Sequence, residues 1–193
     1  MKANWPEKVW INSPLRLLVQ KREVRFLKNF GGLQPGARCL EIGCGRGAGI
    51  SLIEKTFHPG RVDAVDIDLS MIRRAMSKRL GLLLVADAQQ LPYPDSCMDA
   101  VFNFGILHHL EDWVRGIGEI SRILKNNSRF YFEEIYPSLY ANFFLRHLLA
   151  HPRENRFHGP EFRAVLADTG LKLFPGYKEN RFGILGVAVK NGD

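Results

Sequence analysis

Cysteine is scarce in this chain. Cys39, Cys44 and Cys97 are odd in number and form no C-x-x-C pair, which argues against a disulfide framework and for reduced thiols in a cytoplasmic protein. No apolar run is long enough to span a bilayer. No signal-peptide core follows Met1–Pro6, and neither end carries a lipidation motif. No internal repeat, low-complexity tract or domain linker is visible, so the expectation is one domain over residues 1–193. Acidic residues are outnumbered: 27 Lys and Arg against 20 Asp and Glu give a net charge of +7. Such a balance permits contact with nucleic acid or an anionic membrane surface without establishing either. The basic residues are dispersed (Lys21-Arg22, Arg73-Arg74, Lys78-Arg79, Arg146, Arg153, Arg156), a pattern that suits solvated faces.

Against that background one stretch stands out. Arg38–Gly49, RCLEIGCGRGAG, begins as a short apolar run and continues with Gly43, Gly45, Gly47 and Gly49 at every second position. An apolar run that ends in glycines and restarts as a helix, about residues 48–54, reads as strand, tight turn, helix. Glycine accepts positive φ and lets a ligand lie on bare backbone. The helix start points its N–H groups at the same place. A P-loop is excluded, because no Gly-Lys-Ser/Thr follows. A dinucleotide fingerprint can be fitted with Ala48 in its last place. Glu41 separates the readings: a carboxylate two residues before the first glycine repels a pyrophosphate and suits a cationic ligand, such as a sulfonium with an α-amino group.

Further apolar runs follow at regular intervals. Residues 14–30 read as one or two amphipathic helices capped by Ser13, with Pro14 in the first turn. Strands are expected over residues 37–42, 61–67, 82–86 and 99–104, the third buried on both faces, with a fifth ending at Glu133-Glu134. Helices are expected over 69–80 and 113–124, and residues 171–177 and 184–190 read as a terminal pair of strands. Asp66 ends the second strand about twenty residues past the glycines, where a carboxylate accepts both ribose hydroxyls of an adenosine ligand; this holds for NAD as well. Asp68 is a helix cap, and Met71 reads better as core than as a cofactor contact.

These features together resemble the class I S-adenosylmethionine-dependent methyltransferases. Glu41–Gly47 is similar to their motif I, E-x-G-x-G-x-G. The segment VDAVDIDLSMIRRA, the loop DAQQLPYPDSCMDAVF and the LHHL run at Leu107–Leu110 follow the same family, and its ubiquinone/menaquinone-biosynthesis branch in particular. The resemblance covers residues 37–190. It implies an α/β, Rossmann-like domain with a mostly parallel seven-stranded sheet, an antiparallel last strand and helices on both faces. It implies an enzyme that binds S-adenosyl-L-methionine, releases S-adenosyl-L-homocysteine and methylates a small-molecule acceptor, quinol-, phenol- or lipid-like. Implied cofactor contacts are Glu41, Gly43, Cys44, Gly45 and Gly47, then Asp66 at the ribose, Ile67, Asp87 and Ala88 at the adenine, and Asn103 and Phe104 at the methionine moiety. For Cys44, a small residue that merely fits the turn is the plainer reading.

Catalytic residues are not forced by methyl transfer; His108, His109 and Glu133 are the weak candidates. A loop-holding role is the better reading for the two histidines, as no acid partner is visible for either ring. Where the family has Lys-Pro-Gly-Gly, this chain has Lys125-Asn126-Asn127-Ser128, and asparagine tolerates the left-handed backbone that glycine would supply. Residues 1–35 are expected as a helical cover, and residues 136–160, with their aromatic and apolar run, as a helical insertion on the substrate side or in contact with a membrane surface. The pair His147 and His151 has helical spacing but no third ligand, so no metal is expected. The rivals are an NAD-dependent reductase, an RNA or protein methyltransferase, and a cofactor-binding partner without catalysis. The first lacks a Tyr-x-x-x-Lys pair. Against nucleic acid stands Asn103-Phe104-Gly105-Ile106, which is not the Asn/Asp-Pro-Pro-Tyr/Phe of base-amine enzymes. Nothing in the sequence speaks to oligomeric state.

Overall fold

The computed structural model describes residues 13–76, 81–140 and 156–192. The chain enters through helix α1, Pro14–Gly31. Ser13 Oγ accepts from the Arg16 N–H at 3.1 Å, and Gly32, at φ 62°, closes the other end by donating to Lys28 O. It is one continuous helix. Strand β1 (Arg38–Ile42) leads to α2 (Ala48–Phe57), β2 (Arg61–Asp66) to α3 (Leu69–Ala75), and β3 (Leu83–Val85) to β4 (Met98–Phe104). A short 3-10 turn, Leu107–His109, precedes α4 (Trp113–Ile123), β5 (Leu124–Ile135) and α5 (Pro137–Tyr140). Then come α6 (Gly159–Asp168), β6 (Leu171–Leu173), β7 (Lys178–Asn180) and β8 (Gly183–Lys190). Asp68 and Asp112 cap α3 and α4, each through a backbone N–H at 2.9 Å.

The sheet runs β3-β2-β1-β4-β5-β8-β6. β1 to β5 are parallel, and β8 enters antiparallel between β5 and β6. Seven strands lie on the expected path. The eighth, β7, has every residue exposed and joins by pairing with β8 alone, which is why no alternation of apolar residues announced it. The order reverses at β1, between β2 and β4, and in open sheets the crevice at such a point, past the carboxyl ends of the strands, is where ligands bind.

Strand alternation divides the core into two layers. On one face, Cys39, Ala100, Phe102 and Tyr131 meet Val24 and Leu27 of α1, Ile50, Ile53 and Phe57 of α2, and Ile72 of α3. Phe102 stacks on Tyr131 with ring centroids 4.5 Å apart, and Phe57 sits edge-on to both; each such pair adds about 0.5–1.5 kcal/mol beyond the area it buries. On the other face, Leu40, Val101, Phe130 and Phe132 meet Trp113, Ile117 and Ile120 of α4 and Phe162 and Leu166 of α6.

Two expectations need correction. β3 is not buried on both faces: it is the outer strand, and Val85 is 50% exposed, because an apolar triplet alone does not say whether a second neighbour exists. The turn into β5 is not a separate loop. Residues 125–128 belong to β5, whose pairing with β4 is irregular between Met98 and Ala100. Asn127 adopts φ 63° there, the left-handed position expected of it. The expectations for residues 1–12 of the helical cover, for 77–80, for most of 136–160, and for His147 and His151 fall outside the described residues.

Candidate active site

The cradle is built from β1 outward. After Ile42 the chain reverses with Gly43, Gly45 and Gly47 at φ 68°, 52° and 79°. The three glycines serve different needs. A Cβ on Gly43 would fall 2.2 Å from the Ile106 side chain, and one on Gly47 would fall 3.2 Å from Ala75, so these two permit close packing. A Cβ on Gly45 would meet nothing within 4 Å; here the bare backbone faces open space, as a ligand cradle requires. Gly49 is glycine for a third reason. Its Cβ would stand 1.8 Å from Glu41 Oε1, so the Glu41 carboxylate, 2% exposed, lies directly over it. Cys44 is buried, donates its N–H to Val65 O at 3.0 Å, and its thiol is pushed up by burial and by Glu41 and Asp66, so it acts as a small packing residue rather than a nucleophile.

Asp66, at the end of β2, accepts from Gly45 N–H at 2.9 Å through Oδ2 and from Asp68 N–H at 2.8 Å through Oδ1. The carboxylate thus ties the glycine turn to the start of α3, a structural duty not legible in sequence. Ile67, next in the chain, is 44% exposed. Asp87 accepts from the backbone and side-chain N–H groups of Gln89 and shapes the turn holding the buried Ala88. That loop is fastened from α4. Arg122 donates to the Leu91 and Tyr93 carbonyls and pairs with Glu119 and Asp95, while Glu119 accepts from Leu91 N–H at 2.7 Å. Sequence reasoning missed this clamp; its partners lie about thirty residues apart, joined only by packing.

Beyond β4 the two carboxylates at the end of β5 part company. Successive strand residues face opposite sides of the sheet, so Glu133 looks toward α1 and Glu134 toward the 3-10 turn. Glu133 Oε2 pairs with Arg16 of α1 at 2.9 Å, and Arg16 also holds Glu23 at 2.7 Å. Burial drives the Glu133 carboxyl above its usual range against the pull of Arg16. Glu134 is 1% exposed. Its Oε1 accepts from Asn103 Nδ2 and from Leu107 N–H, both at 2.7 Å, and its Oε2 lies 2.7 Å from His108 Nδ1. Burial raises it to about 7, while the hydrogen bonds from Asn103 and from backbone N–H groups pull the other way.

This corrects the expectation that neither histidine has an acid partner. His108 has one, twenty-six positions away on the neighbouring strand, and the acid is Glu134 rather than the candidate Glu133. The available signal was two adjacent acids ending a strand beside the one that precedes LHH. His109 stacks obliquely on His108, with centroids 4.2 Å apart. Asn103 is fully buried, its amide shared between Glu134 and the Ile106 N–H. Its observed part is therefore to set the loop that carries His108. Phe104 is partly buried against the α1–α3 layer. Among the described residues no group of three His, Cys, Asp or Glu is placed to hold a metal ion.

The parallel sheet with its inserted antiparallel last strand, the glycine cradle at the switch point and the acid ending β2 define a Rossmann-like, class I methyltransferase domain. Residues 40–132 match a family model described as a methyltransferase domain, and the chain belongs to the class I S-adenosylmethionine-dependent methyltransferase family. A fatty-acid O-methyltransferase of Mycolicibacterium smegmatis is 30% identical over 141 residues, which is 72% of this chain and 45% of that protein. A phthiotriol/phenolphthiotriol dimycocerosates methyltransferase of Mycobacterium tuberculosis is 31% identical over 106 residues, 53% of this chain and 39% of that one. The chain thus spans less than half the length of these curated relatives, and neither singles out a ubiquinone/menaquinone branch. Among solved structures, the complex of the Haloferax volcanii Trm112 methyltransferase activator with a methyltransferase superposes with a TM-score of 0.76 at 18% identity, covering 96% of each chain. A methyltransferase from Aquifex aeolicus gives 0.70 at 21% identity, over 96% of this chain and 98% of that one. At these identities the likeness is one of fold.

Proposed function

We propose that this protein is an S-adenosyl-L-methionine-dependent methyltransferase that methylates a hydroxyl of a lipid-like small molecule. The observation that carries the acceptor chemistry is the His108–Glu134 pair, at 2.7 Å. A carboxylate acceptor already offers a lone pair and needs no base. A hydroxyl must lose its proton as the new bond forms, and a histidine held in one tautomer by a buried carboxylate is suited to take it. With Glu134 ionised, His108 Nδ1–H donates to it, leaving Nε2 as the base. The electrostatics agree: Arg16, the cation that reaches this edge from α1, is committed to Glu133 and Glu23 rather than to a carboxylate substrate.

The residues fit the cofactor. The backbone of Gly43–Gly47 would lie under its amino-acid part with the Glu41 carboxylate beneath, Asp66 would accept the ribose hydroxyls, and Ile67, Asp87 and Ala88 would meet the adenine. Phe104 would border the methionine chain, Asn103 acting through Glu134 and the loop it fixes. When bound, S-adenosylmethionine supplies an electrophilic methyl group for in-line displacement. The chain's part is to hold the two partners in near-attack geometry, to exclude water and to receive the acceptor proton on His108. Lipid-like acceptors are supported by the names of the relatives, one acting on fatty acids and the other on phthiotriol dimycocerosates.

The test has two stages. Calorimetric titration with S-adenosylhomocysteine and, in parallel, NAD should show binding of the first only; NAD binding without the first would overturn the class of activity. A panel of long-chain alcohols, phenols and fatty acids with labelled cofactor should then show transfer to the hydroxyl compounds. Transfer confined to the free carboxylates, and undiminished in His108→Asn, would overturn the base assignment and leave the carboxyl-methylating alternative.

A further inference from the structure

The N-terminal half of α1 carries apolar side chains that stay exposed among the described residues. Leu15 is 57% exposed, Leu18 49% and Val19 38%, although Gln20, Val24 and Leu27 already fill the buried stripe of the same helix. Nor is the outer face neutral. Of the charged residues in α1, Arg16 and Glu23 are turned inward to each other and to Glu133, whereas Lys21, Arg22, Arg25 and Lys28 are all exposed. The helix therefore shows the outside an aliphatic end and a purely cationic flank.

The direction of the helix decides what this end adjoins. Arg16 reaches Glu133 near the carboxyl end of β5, while the Tyr131 hydroxyl, earlier in that strand, donates to Gly32 O beyond the far end of α1. So α1 runs antiparallel to β5, and its first turns lie at the edge that holds the cradle and His108. The β7–β8 hairpin runs along the same flank. Gly176 packs against the Phe30 ring, and Lys178 Nζ stands over the Phe26 ring at 4.3 Å. Two strand residues advance about 6.6 Å and four helical residues about 6 Å, so the next steps set Asn180 near the level of Arg22 and the hairpin tip near that of Val19. At that tip Arg181 lies over the Phe182 ring at 4.4 Å, and Phe182 O accepts from Tyr136 N–H just past β5. Phe182 is 37% exposed. Aliphatic residues from a helix, an aromatic from a hairpin and cations from both thus stand at the same level along the flank, toward the active edge.

We propose that the first two turns of α1 and the β7–β8 hairpin tip form a docking surface for an anionic lipid bilayer, holding the active edge toward the membrane. Exposed Leu and Phe enter the headgroup boundary, and the adjoining Lys and Arg meet anionic headgroups; neither feature alone holds a protein there. Cations on every solvent-facing charged position of α1 favour an anionic surface over an electroneutral apolar partner. The proposal deepens the lipid-acceptor reading, since a lipid would then enter the site directly from the bilayer. It is tested without turnover, so each can fail alone.

The experiment is flotation of the full chain with vesicles of phosphatidylcholine alone and of phosphatidylcholine mixed with phosphatidylglycerol, at low and high salt. The mixed vesicles should retain the protein at low salt and release most of it at high salt, where charge screening shortens to a few ångström. Leu15→Ser/Leu18→Ser and, separately, Phe182→Ser should each lower partitioning more than tenfold with unchanged circular dichroism and cofactor affinity. Equal retention by both vesicle types, or retention untouched by these substitutions, would overturn the proposal. So would a dimer in sedimentation velocity that the same substitutions dissolve, because the rim would then be covered by a second copy of the chain.

Discussion

Replacing Glu134 by glutamine separates the chemistry of the dyad from its structural role. Oε1 accepts from Asn103 Nδ2 and Leu107 N–H, and the amide oxygen of glutamine can keep both bonds. The amide nitrogen then falls where Oε2 now meets His108 Nδ1 at 2.7 Å. An NH2 group there donates, so Nδ1 must accept, the ring proton moves to Nε2, and the base is lost. Stability should change by no more than about 2 kcal/mol, because few hydrogen bonds disappear, while the rate should fall by about 10²–10⁴-fold, the usual worth of a positioned base. Glu134→Ala is the contrast: the Asn103, Leu107 and His108 donors are all left bare, at a cost of roughly 1–3 kcal/mol each. The assay is kcat/KM against pH together with urea unfolding. For the unmodified protein kcat/KM should rise with pH through about 7, where the Glu134 carboxyl ionises, and Glu134→Gln should lose that limb. The sign for stability is opposite. Burial raises the folded carboxyl from an ordinary 4.5 to about 7, so its contribution is complete below 4.5 and is lost as pH climbs through 7; the glutamine variant lacks this decline. A glutamine variant with full activity and an unaltered pH profile would refute the reasoning.

Gly49→Ala places a methyl 1.8 Å from Glu41 Oε1, so it should displace that carboxylate and weaken S-adenosylhomocysteine binding at least tenfold by calorimetry, whereas Gly118→Ala, whose Cβ meets nothing within 4 Å, should not. Asp66→Ala should cost more than ~1 kcal/mol of cofactor affinity, and because Asp66 also holds the Gly45 and Asp68 N–H groups, urea unfolding should register a loss as well. Arg16→Met leaves Glu133 and Glu23 without their cation, at about 3 kcal/mol. Burial already raises Glu133 to about 8 beside Arg16, and losing the cation raises it further, so the deficit should be smallest well below 8 and grow as pH climbs past it, and Arg16→Met/Glu133→Gln should recover much of it; a deficit independent of pH would refute the ion-pair account.

The elements read easily where local chemistry was unambiguous. Ser13-Pro14 began a helix, Asp68 capped one, and the glycines at 43, 45 and 47 turned left-handed. Asn127 did so too, where the family carries glycine. Reading failed where the answer depended on a neighbour. Leu83–Val85 has the composition of an inner strand and lies at the edge, and nothing in Lys178–Asn180 marks it as the eighth strand.

The strand, glycine turn and helix at residues 38–57 were legible in the chain itself, because they rest on short-range facts: an apolar run, positive φ at glycine, a carboxylate at a fixed distance from a turn; the full sheet order came from the family resemblance. Side-chain partners were not legible in this way. Glu133 and Glu134 are adjacent and alike in sequence, yet strand alternation gives one to Arg16 and α1 and the other to His108. Arg122 holds the Leu91–Tyr93 loop by the same kind of long-range meeting. Which carboxylate finds which partner depends on the pairing of β4 with β5 and the seating of α1, and these emerge only when the chain packs.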